Sequence, residues 1–526
     1  MTETINKKIL VIGAGLSGIA ALKELKEEGH QVTCFEKNED FGGVFSNLES
    51  YDSLHLTISN YFMAYSDFLP SKERLKFWSR RDYKNYLQNY IEHHHLWNHI
   101  HFNTEVFSVE KTNNQWKVKV QKNGQDEMYL FDAVAVCSGM FQKAIIPDIE
   151  GLENFSGEVI HSKNYKNAED FLGKKVLCIG LGESSADITS EISEVAEKCI
   201  LSLRRYPVVA PRMYPFQKDP FFTIDTSPLT SRIFSWLPSQ FYMNFTKPIF
   251  KKYLRSRNPH TVYRAQWIKK AGKTPHQVIT KNERVFKHIV DDQVTSNLSG
   301  IDKFTSDEVI FKDGSREKID AIVFCTGYKI SFPFLNISIE NPRDLYKQSF
   351  HNDMGESLAF IGFVRPQQGG IPAIAEMQSR YFALICSGKQ RLPTQQEREE
   401  ITRQERKFWE EQFYLAPQVT SLVNYCNYMD SMSKLVGCFP NISFFKEPKL
   451  YIKLWLGPQF SAQYRLCGPH AKPDTTKTFL QQFPIPMPKN KIALLLMVKL
   501  TYELIDKIPG IRKKSQLKRI HTALGS

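Results

Sequence analysis

Short apolar runs that alternate with glycine turns predict a repeated unit in this chain. Lys8–Ile12 is a β-branched run that stops at a glycine, which is typical of a buried parallel strand. Ser17–Glu28 places its apolar residues on one helical face, and Gln31–Phe35 is the next apolar run. These segments predict two parallel strands joined by a right-handed helical crossover.

The same order of segments recurs later in the chain. Lys175–Ile179 predicts a strand, Ala186–Ala196 a helix and Ile200–Leu203 the next strand, and Ala321–Phe324 resembles a further strand. We therefore predict an α/β fold with two Rossmann-like dinucleotide-binding domains.

The domain boundaries follow from where this rhythm starts and stops. We expect residues 1–165 and 311–526 to form the first domain and residues 166–310 to form the second. The stretch 212–275 is rich in proline and aromatic residues and lacks the rhythm, so we predict a mostly helical insertion there. Residues 394–415 predict a charged helix.

Composition and charge exclude several classes of protein. Apolar residues make up 42% of the chain and charged residues 24%, so a mainly disordered protein is excluded. The net charge is +13, but nine lysines and arginines against two acids lie in residues 489–526, and no recognition motif accompanies them. We expect no nucleic-acid partner. Nine scattered cysteines without a C-x-x-C pair, and no signal peptide, predict a cytoplasmic protein.

The basic C-terminal segment has two interpretations. Ile492–Ile505 is apolar over more than half of its helical circumference, and basic residues follow it. Either this helix packs on the body of the protein, or residues 489–526 dock peripherally on an anionic membrane. No apolar run approaches the roughly 18 residues that span a bilayer.

The first turn carries the G-x-G-x-x-G pattern of a dinucleotide-binding site. Glycines permit a tight turn and a close approach of the backbone to a pyrophosphate, and the helix N-terminus supplies amide donors. Glu36 ends the second strand, where a carboxylate accepts hydrogen bonds from a ribose diol. The alternative is a glycine turn with a surface glutamate. The predicted contacts are Gly13, Ala14, Gly15, Leu16, Ser17, Gly18 and Glu36.

The second turn is a weaker match, because Ser185 replaces the third glycine. Two arginines end the following strand, where a guanidinium forks onto a phosphate and a glutamate would repel it. The first site therefore favours FAD and the second favours NADPH. The alternative is a pair of solvated arginines. The predicted contacts are Gly180, Gly182, Ser184, Ser202, Arg204 and Arg205.

Between the two units, Phe155–Tyr165 reads F-x-G-x-x-x-H-x-x-x-Y. This pattern resembles the identifying motif of flavin-containing monooxygenases. The resemblance, to the animal-type branch of the family, extends along nearly the whole chain apart from 212–275 and the C-terminal tail. The similar segments are Gly42–Phe45, Met63–Phe68, Asp320–Tyr328, Phe332–Leu335, Glu376–Arg380, Leu456–Pro458 and Tyr464–Pro469.

The resemblance implies a reaction. NADPH reduces FAD, O2 adds to give a C4a-hydroperoxyflavin, and one oxygen atom passes to a soft nitrogen or sulfur nucleophile of a small molecule, as in N,N-dimethylaniline monooxygenases. The cofactor carries the hard chemistry, while the protein excludes water, so no metal or catalytic triad is needed. The resemblance also implies cofactor contacts at Gly43, Val44, Phe45, Leu56, Thr57, Val106, Thr326 and Gln378.

The chain departs from the family pattern near the flavin. Counted back from Asp67, the family's flavin-site asparagine falls on Thr57 and its nearby lysine falls on Asn60. A threonine hydroxyl does not span two partners as an amide does. We assign the catalytic positions to Thr57 and Asn60, and we expect some release of H2O2 when no substrate is bound.

Three other functions stay open. Baeyer–Villiger oxygenation of ketones shares the hydroperoxyflavin, although the motif ends in Tyr165 and not in the tryptophan typical of that group. An uncoupled NADPH oxidase that releases H2O2 is motivated by Thr57. A nucleotide-gated, membrane-associated binding protein is a non-enzyme alternative that depends on the basic tail alone.

The two arginines give a first prediction. An arginine–phosphate contact is worth roughly 1.5–3 kcal/mol. Replacing Arg204 and Arg205 with alanine should raise the KM for NADPH at least about tenfold and leave the KM for NADH nearly unchanged. Steady-state kinetics with both cofactors test this, and equal effects on the two would show that the arginines are structural.

Overall fold

The computed structural model describes residues 5–70, 75–213, 223–227, 230–237, 251–252, 254–272, 276–485, 487 and 489–506, with the side chains of the last helix described through residue 501. Within these ranges the strands and helices have the following bounds. The strands are β1 Lys8–Ile12, β2 Gln31–Phe35, β3 Ile100–His101, β4 Thr104–Thr112, β5 Gln115–Lys122, β6 Gln125–Phe131, β7 Ala133–Val136, β8 Lys143–Ala144, β9 Glu158–His161, β10 Lys175–Ile179, β11 Lys198–Ser202, β12 Val208–Val209, β13 Ile279–Thr280, β14 Val294–Asn297, β15 Ile301–Phe304, β16 Glu308–Phe311, β17 Arg316–Lys318, β18 Ala321–Phe324, β19 Tyr328–Lys329, β20 Leu358–Phe360, β21 Arg365–Pro366 and β22 Leu422–Val423. The helices are α1 Leu16–Glu27, α2 Asn60–Met63, α3 Arg80–His93, α4 Glu183–Val195, α5 Arg232–Trp236, α6 Pro259–Ala271, α7 Arg284–Val290, α8 Ile371–Cys386, α9 Gln395–Gln412, α10 Tyr425–Val436, α11 Pro448–Leu456, α12 Pro473–Gln482 and α13 Lys489–Asp506.

Two parallel five-stranded sheets form the centre of the fold. The first has the strand order β20-β7-β1-β2-β3, and the second has the order β14-β11-β10-β18-β9. Their central strands are almost fully buried. Helices pack on one face of each sheet, and a three-stranded antiparallel sheet, β4-β5-β6 or β15-β16-β17, packs on the other. The predicted α/β fold with two Rossmann-like units is confirmed.

The second sheet includes strands from outside the predicted second domain. We expect residues 1–165 and 311–526 in the first domain, yet β9 and β18, which lie in those ranges, both pair within the second sheet. The second sheet therefore includes residues 158–161 and 321–324, while the domain boundaries themselves stay a prediction. Pattern reading missed this because a strand's sheet depends on pairing with distant segments and not on its own sequence.

The predicted helical insertion and C-terminal tail are described in part. Helices α5 and α6 lie in the stretch 212–275, while 214–222, 228–229, 238–250, 253 and 273–275 lie outside the described residues. The tail beyond residue 506 also lies outside them. Among the described helices, none combines the length and the apolar character needed to cross a bilayer.

Helix α13 has both a packed face and an exposed face. Lys499 is buried, with its ammonium 3.8 Å from the centre of the Trp455 ring. Leu494 and Met497 are instead 56% and 61% exposed. The packed interpretation holds for the first face, and membrane docking of the second stays a prediction.

A buried charge cluster joins segments that are far apart in sequence. Arg465, fully buried, donates from Nη2 to Glu24 Oε1 at 2.5 Å and to Glu376 Oε1 at 2.6 Å. Lys23 Nζ lies 2.5 Å from Asp67 Oδ2. Burial alone raises the pKa of Asp67, but the charges of Arg465 and Lys23 hold that pKa well below its usual range. The cluster thus ties α1, the 66–67 segment, α8 and the C-terminal region together.

Removing Arg465 should strongly destabilise the fold. Arg465→Met leaves buried carboxylates without their counter-charge, and breaking such a pair costs about 3–5 kcal/mol. Arg403→Met is the matched control, because Arg403 pairs with Glu400 on the exposed face of α9 and should cost under about 1 kcal/mol. Denaturant unfolding of both variants tests this, and equal losses would contradict it.

Candidate functional site

The first glycine turn is shaped by two contacts of Gly13. Gly13 has a φ of +100°, and its amide donates to the carbonyl of Phe35 at 2.8 Å. A Cβ added to Gly18 would lie 1.7 Å from the carbonyl oxygen of Gly13, so the third glycine lets α1 start directly against the turn. A Cβ on Gly15 would meet Gly43 Cα at 3.6 Å, an ordinary contact. Gly15 is therefore not required by the protein's own packing.

Glu36 holds this turn from the end of β2. Its Oε2 accepts from the amide of Ala14 at 2.7 Å, and its Oε1 accepts from the amide of Asn38 at 3.0 Å. Burial raises the pKa of its carboxyl group, and these amide contacts lower it in part. Each carboxylate oxygen retains a second lone pair, so the predicted ribose contact at Glu36 stays chemically open.

A cavity of about 460 Å³ opens beside the turn. This volume lies within the usual range of small-molecule and cofactor sites. Eight predicted contacts line it, together with segments for which no cofactor contact was predicted, such as 138–143 and 333–334. The predicted residues on its wall are Gly13, Gly15, Leu16, Ser17, Glu36, Gly43, Val44 and Val106.

The cavity wall fits a dinucleotide such as FAD. A Cβ on Gly43 would lie 3.2 Å from Gly15 Cα, so two glycine backbones face each other where a pyrophosphate would need close approach. The N-terminus of α1 begins at the same place, at Leu16, and supplies free amide donors.

Three other predicted contacts have structural partners within the protein. Phe45 packs against the ring of Tyr83, with centroids 4.7 Å apart. Thr326 donates its hydroxyl to the carbonyl of Ile145. Leu56 is buried in the core of the first unit. Direct cofactor contact by these side chains stays a prediction.

Gln378 reaches the site through a neighbour. Its amide oxygen accepts from Gly362 N at 2.9 Å, and its amide nitrogen donates to Tyr428 Oη at 2.8 Å. Gly362 has a φ of +87°, and a Cβ there would lie 2.0 Å from Ser17 Oγ. Gln378 therefore positions Gly362 against the first turn.

The two positions predicted as catalytic differ in their surroundings. Thr57 is half-buried, and within the described residues its hydroxyl makes no hydrogen bond, so it is available to a ligand. Asn60 is fully buried, and its Oδ1 accepts from Lys76 N at 3.3 Å. Asn60 thus ties α2 to the segment around residue 76, and the catalytic role of both residues stays a prediction.

In the second glycine turn the backbone packs closely through Gly180 and through a hydrogen bond from a serine. Gly180 has a φ of +96°, and a Cβ there would lie 2.8 Å from the carbonyl of Cys325. Ser185, which stands where the third glycine was expected, donates its hydroxyl to Gly180 O at 2.6 Å. The serine replaces the close backbone contact with a hydrogen bond, so its presence does not weaken the turn.

The predicted NADPH residues surround this turn. The carbonyl of Ser202 accepts from Gly180 N at 3.0 Å. Gly182 precedes α4 with open space where a Cβ would be, and Ser184 is the second residue of that helix. Arg204 and Arg205 are exposed, and Arg205 Nη1 donates to Leu415 O at 2.9 Å. The open glycine, the helix N-terminus and the exposed cations fit a phosphorylated dinucleotide.

Sequence reasoning missed a group of buried charges beside the second turn. Glu183 begins α4, and its Oε1 accepts from Lys281 N at 2.7 Å. Burial lowers the pKa of the Lys281 amine, and the charge of Arg365 lowers it further. The charges of Glu183 and of Asp225, which is 1% exposed, raise that pKa only in part. Glu183 was visible in the glycine motif, but no motif marks the other three residues.

Five histidines lie close together in the sequence, at 93–95, 99 and 101, a pattern that invites comparison with a metal site. Two of them pack against an aromatic ring. The rings of His93 and His94 are perpendicular, and Phe68 contacts both of them. Among the described residues, the acidic group close enough to share an ion is Glu24, Asp67 and Glu376. Its charges are met by Lys23 and Arg465.

Two Rossmann-like units, one with a cavity beside its glycine turn, are the architecture of a protein that binds two dinucleotides. The chain belongs to the flavin-binding monooxygenase-like family, whose model matches residues 6–489. The predicted family is confirmed, and so are FAD and NADPH as the cofactors of that family.

Known proteins refine the comparison. The chain is 57% identical over 481 residues to a 4-hydroxybenzoate brominase (decarboxylating) of Pseudoalteromonas luteoviolacea, covering 91% of this chain and 93% of that one. It is 33% identical to flavin-containing monooxygenase 5 of Oryctolagus cuniculus, covering 90% and 91%. Cyclohexanone monooxygenase from Rhodococcus sp. Phi1, solved with NADP+, shares the fold with a TM-score of 0.60 and 18% identity, covering 82% and 98%.

The two turn glycines should respond differently to alanine. Gly18→Ala should lower both thermal stability and flavin content, because its Cβ would overlap the Gly13 carbonyl at 1.7 Å. Gly15→Ala should keep the melting temperature near that of the wild type and lower flavin content alone. Flavin absorbance per protein and thermal unfolding test this. A Gly18→Ala protein with full flavin and unchanged melting would contradict it.

Proposed function

We propose that this chain is a flavin-dependent enzyme that uses O2 and NADPH to brominate a 4-hydroxybenzoate-type phenolic acid with loss of its carboxyl group. The observation that carries the proposal is the 57% identity to a brominase over nearly the whole chain, against 33% to flavin-containing monooxygenase 5. A second brominase, of Marinomonas mediterranea, is 56% identical over a similar length.

The proposed reaction follows from the chemistry predicted for the family. Bound flavin, reduced by NADPH, supplies an electrophilic oxygen atom, and bromide is a soft nucleophile like the predicted nitrogen and sulfur acceptors. One 4-hydroxybenzoate anion, one bromide, one O2, one NADPH and three protons give the bromophenol, CO2, NADP+ and two waters. The bond from the ring carbon to the carboxyl group breaks, its electron pair forms the new carbon–bromine bond, and bromide is oxidised by two electrons overall.

The protein's contribution is to hold the reactants and exclude water. The glycine turns at Gly13 and Gly180 offer cradles for the two dinucleotides. Thr57, with a hydroxyl that has no partner among the described residues, is available near the expected flavin site. The wall of the 460 Å³ cavity is mainly apolar, which keeps an activated oxygen away from bulk water.

Oxygen transfer to a nitrogen or sulfur atom is the second candidate. It is favoured by the Phe155–Tyr165 motif and by the 33% identity to flavin-containing monooxygenase 5. The two candidates differ in one requirement, because only bromination needs bromide.

Product analysis with and without bromide should separate these functions. With NADPH, O2, bromide and 4-hydroxybenzoate, we expect 4-bromophenol and CO2 by mass spectrometry, at least about tenfold above the bromide-free reaction. The control replaces the acid with a thioether, and H2O2 is measured in both. Bromide-independent sulfoxide formation without any bromophenol would refute the proposal, as would H2O2 as the main product under all conditions.

A further inference from the structure

Lys281 is a buried cation on a firmly held backbone. It directly follows β13, is 5% exposed, and its amide donates to Glu183 Oε1 at 2.7 Å. Its carbonyl accepts from Arg212 Nε at 3.1 Å. Among the described residues, the Lys281 amine itself makes no hydrogen bond and has no carboxylate oxygen within 4.0 Å. The backbone is fixed, while the charged end is left for a ligand.

Arg365 brings a second cation toward the same place. It lies on β21, which pairs with β22, and its guanidinium makes no hydrogen bond to the described residues. Gln367, two residues on, donates from Nε2 to Gln277 O at 2.7 Å. This contact places the segment that follows β21 beside the 277–281 segment, which carries Lys281. The mutual effect of the Lys281 and Arg365 charges agrees with this placement.

Two carboxylates face these cations without pairing to them directly. Asp225 Oδ2 accepts from Ser59 N at 2.7 Å, whereas Oδ1 is buried and has no partner in the described part of the chain. Glu183 Oε2 is likewise buried without a partner there. Buried charges that do not pair are costly. A polar ligand that binds between these residues would supply the missing hydrogen-bond and charge partners.

The nature of the cations selects the ligand. A planar guanidinium fork matches a carboxylate through two parallel hydrogen bonds, and an ammonium adds a point charge. Asp225 and Glu183 would repel a pyrophosphate more strongly than a singly charged carboxylate. The dinucleotide phosphates have other donors, at the N-terminus of α4 and at Arg204 and Arg205. Asp225 is also anchored at Ser59, two residues from Thr57, so the site adjoins the segment expected at the flavin.

We infer that Lys281 and Arg365 hold the carboxylate of an aromatic acid substrate, an assignment that rests on the proposed function. While the site is empty, the charges of Asp225 and Glu183 offset in part the effect of burial on the Lys281 amine. Neither cation belongs to a glycine motif, so the site would distinguish acids from neutral phenols independently of cofactor binding.

Binding to the flavin-loaded enzyme tests this without turnover. Calorimetric titration of the wild type should show 4-hydroxybenzoate binding at least about tenfold more tightly than 4-hydroxybenzamide, its neutral isostere. Lys281→Gln and Arg365→Gln should each weaken the acid at least about tenfold and leave the amide unchanged. Lys281→Arg should retain part of the preference. Lys287→Gln, on the exposed face of α7, removes one charge from the same unit and should change neither affinity.

Each other outcome has a definite meaning. Equal affinity of the wild type for acid and amide would overturn the inference, and this comparison needs no variant to fold. Steady-state kinetics of Lys281→Gln and Arg365→Gln give a further check. If either variant raises only the KM for NADPH, or only the KM for bromide, the cations bind the phosphates or the halide and the inference is overturned. Acid-selective binding without bromophenol would refute the proposed function alone. Bromophenol formation with normal acid binding in Lys281→Gln would refute the inference alone.

Discussion

The fully buried guanidinium of Arg465 is the interaction on which the first site depends. It joins Glu24 on α1 to Glu376 on α8 and to Ser66, whose hydroxyl accepts from Arg465 Nε at 2.7 Å. Helix α1 begins at the glycine turn, and α8 carries Gln378, which fixes Gly362 against that turn. One charge near the end of the chain therefore sets the angle of the helix whose N-terminus faces the cavity.

The two glycine turns solve one packing problem in two ways. In the first turn, Gly18 lets the helix backbone approach the carbonyl of Gly13, and no side chain fits between them. In the second, Ser185 fills the corresponding place and donates to the carbonyl of Gly180. With a serine at this position the two backbone segments cannot approach as closely as with a glycine. The serine hydroxyl instead donates a hydrogen bond to the carbonyl, and a buried carbonyl without such a bond would be destabilising. A missing glycine in such a motif is thus weak evidence against a dinucleotide site when a small hydroxyl residue replaces it.

Features that reside in a short stretch of sequence could be predicted, and those assembled from distant stretches could not. The strands Lys8–Ile12 and Lys175–Ile179 have the predicted bounds, because local periodicity determines them. Ala321–Phe324 is a strand as predicted, but its sheet is decided by pairing with β10 and β9, which its own sequence does not show. The burial of Lys499 against Trp455 likewise depends on a segment that is distant in sequence. Arg204 and Arg205 follow β11 as predicted, and their role in NADPH binding stays a prediction.

The charges beside the second turn show why a sequence motif identifies a cofactor more readily than a substrate. A dinucleotide is held largely by backbone amides, so its site leaves a glycine pattern in consecutive residues. The charges of Glu183, Lys281, Asp225 and Arg365 come from four separate segments, and each residue alone resembles an ordinary surface charge in the sequence. Only folding buries Lys281 and Asp225 and half-buries Glu183 and Arg365, and it leaves Asp225 Oδ1 and Glu183 Oε2 without partners in the described part of the chain. Because such burial is costly unless a ligand compensates it, the unpaired atoms are the observation from which we infer a substrate contact at this place.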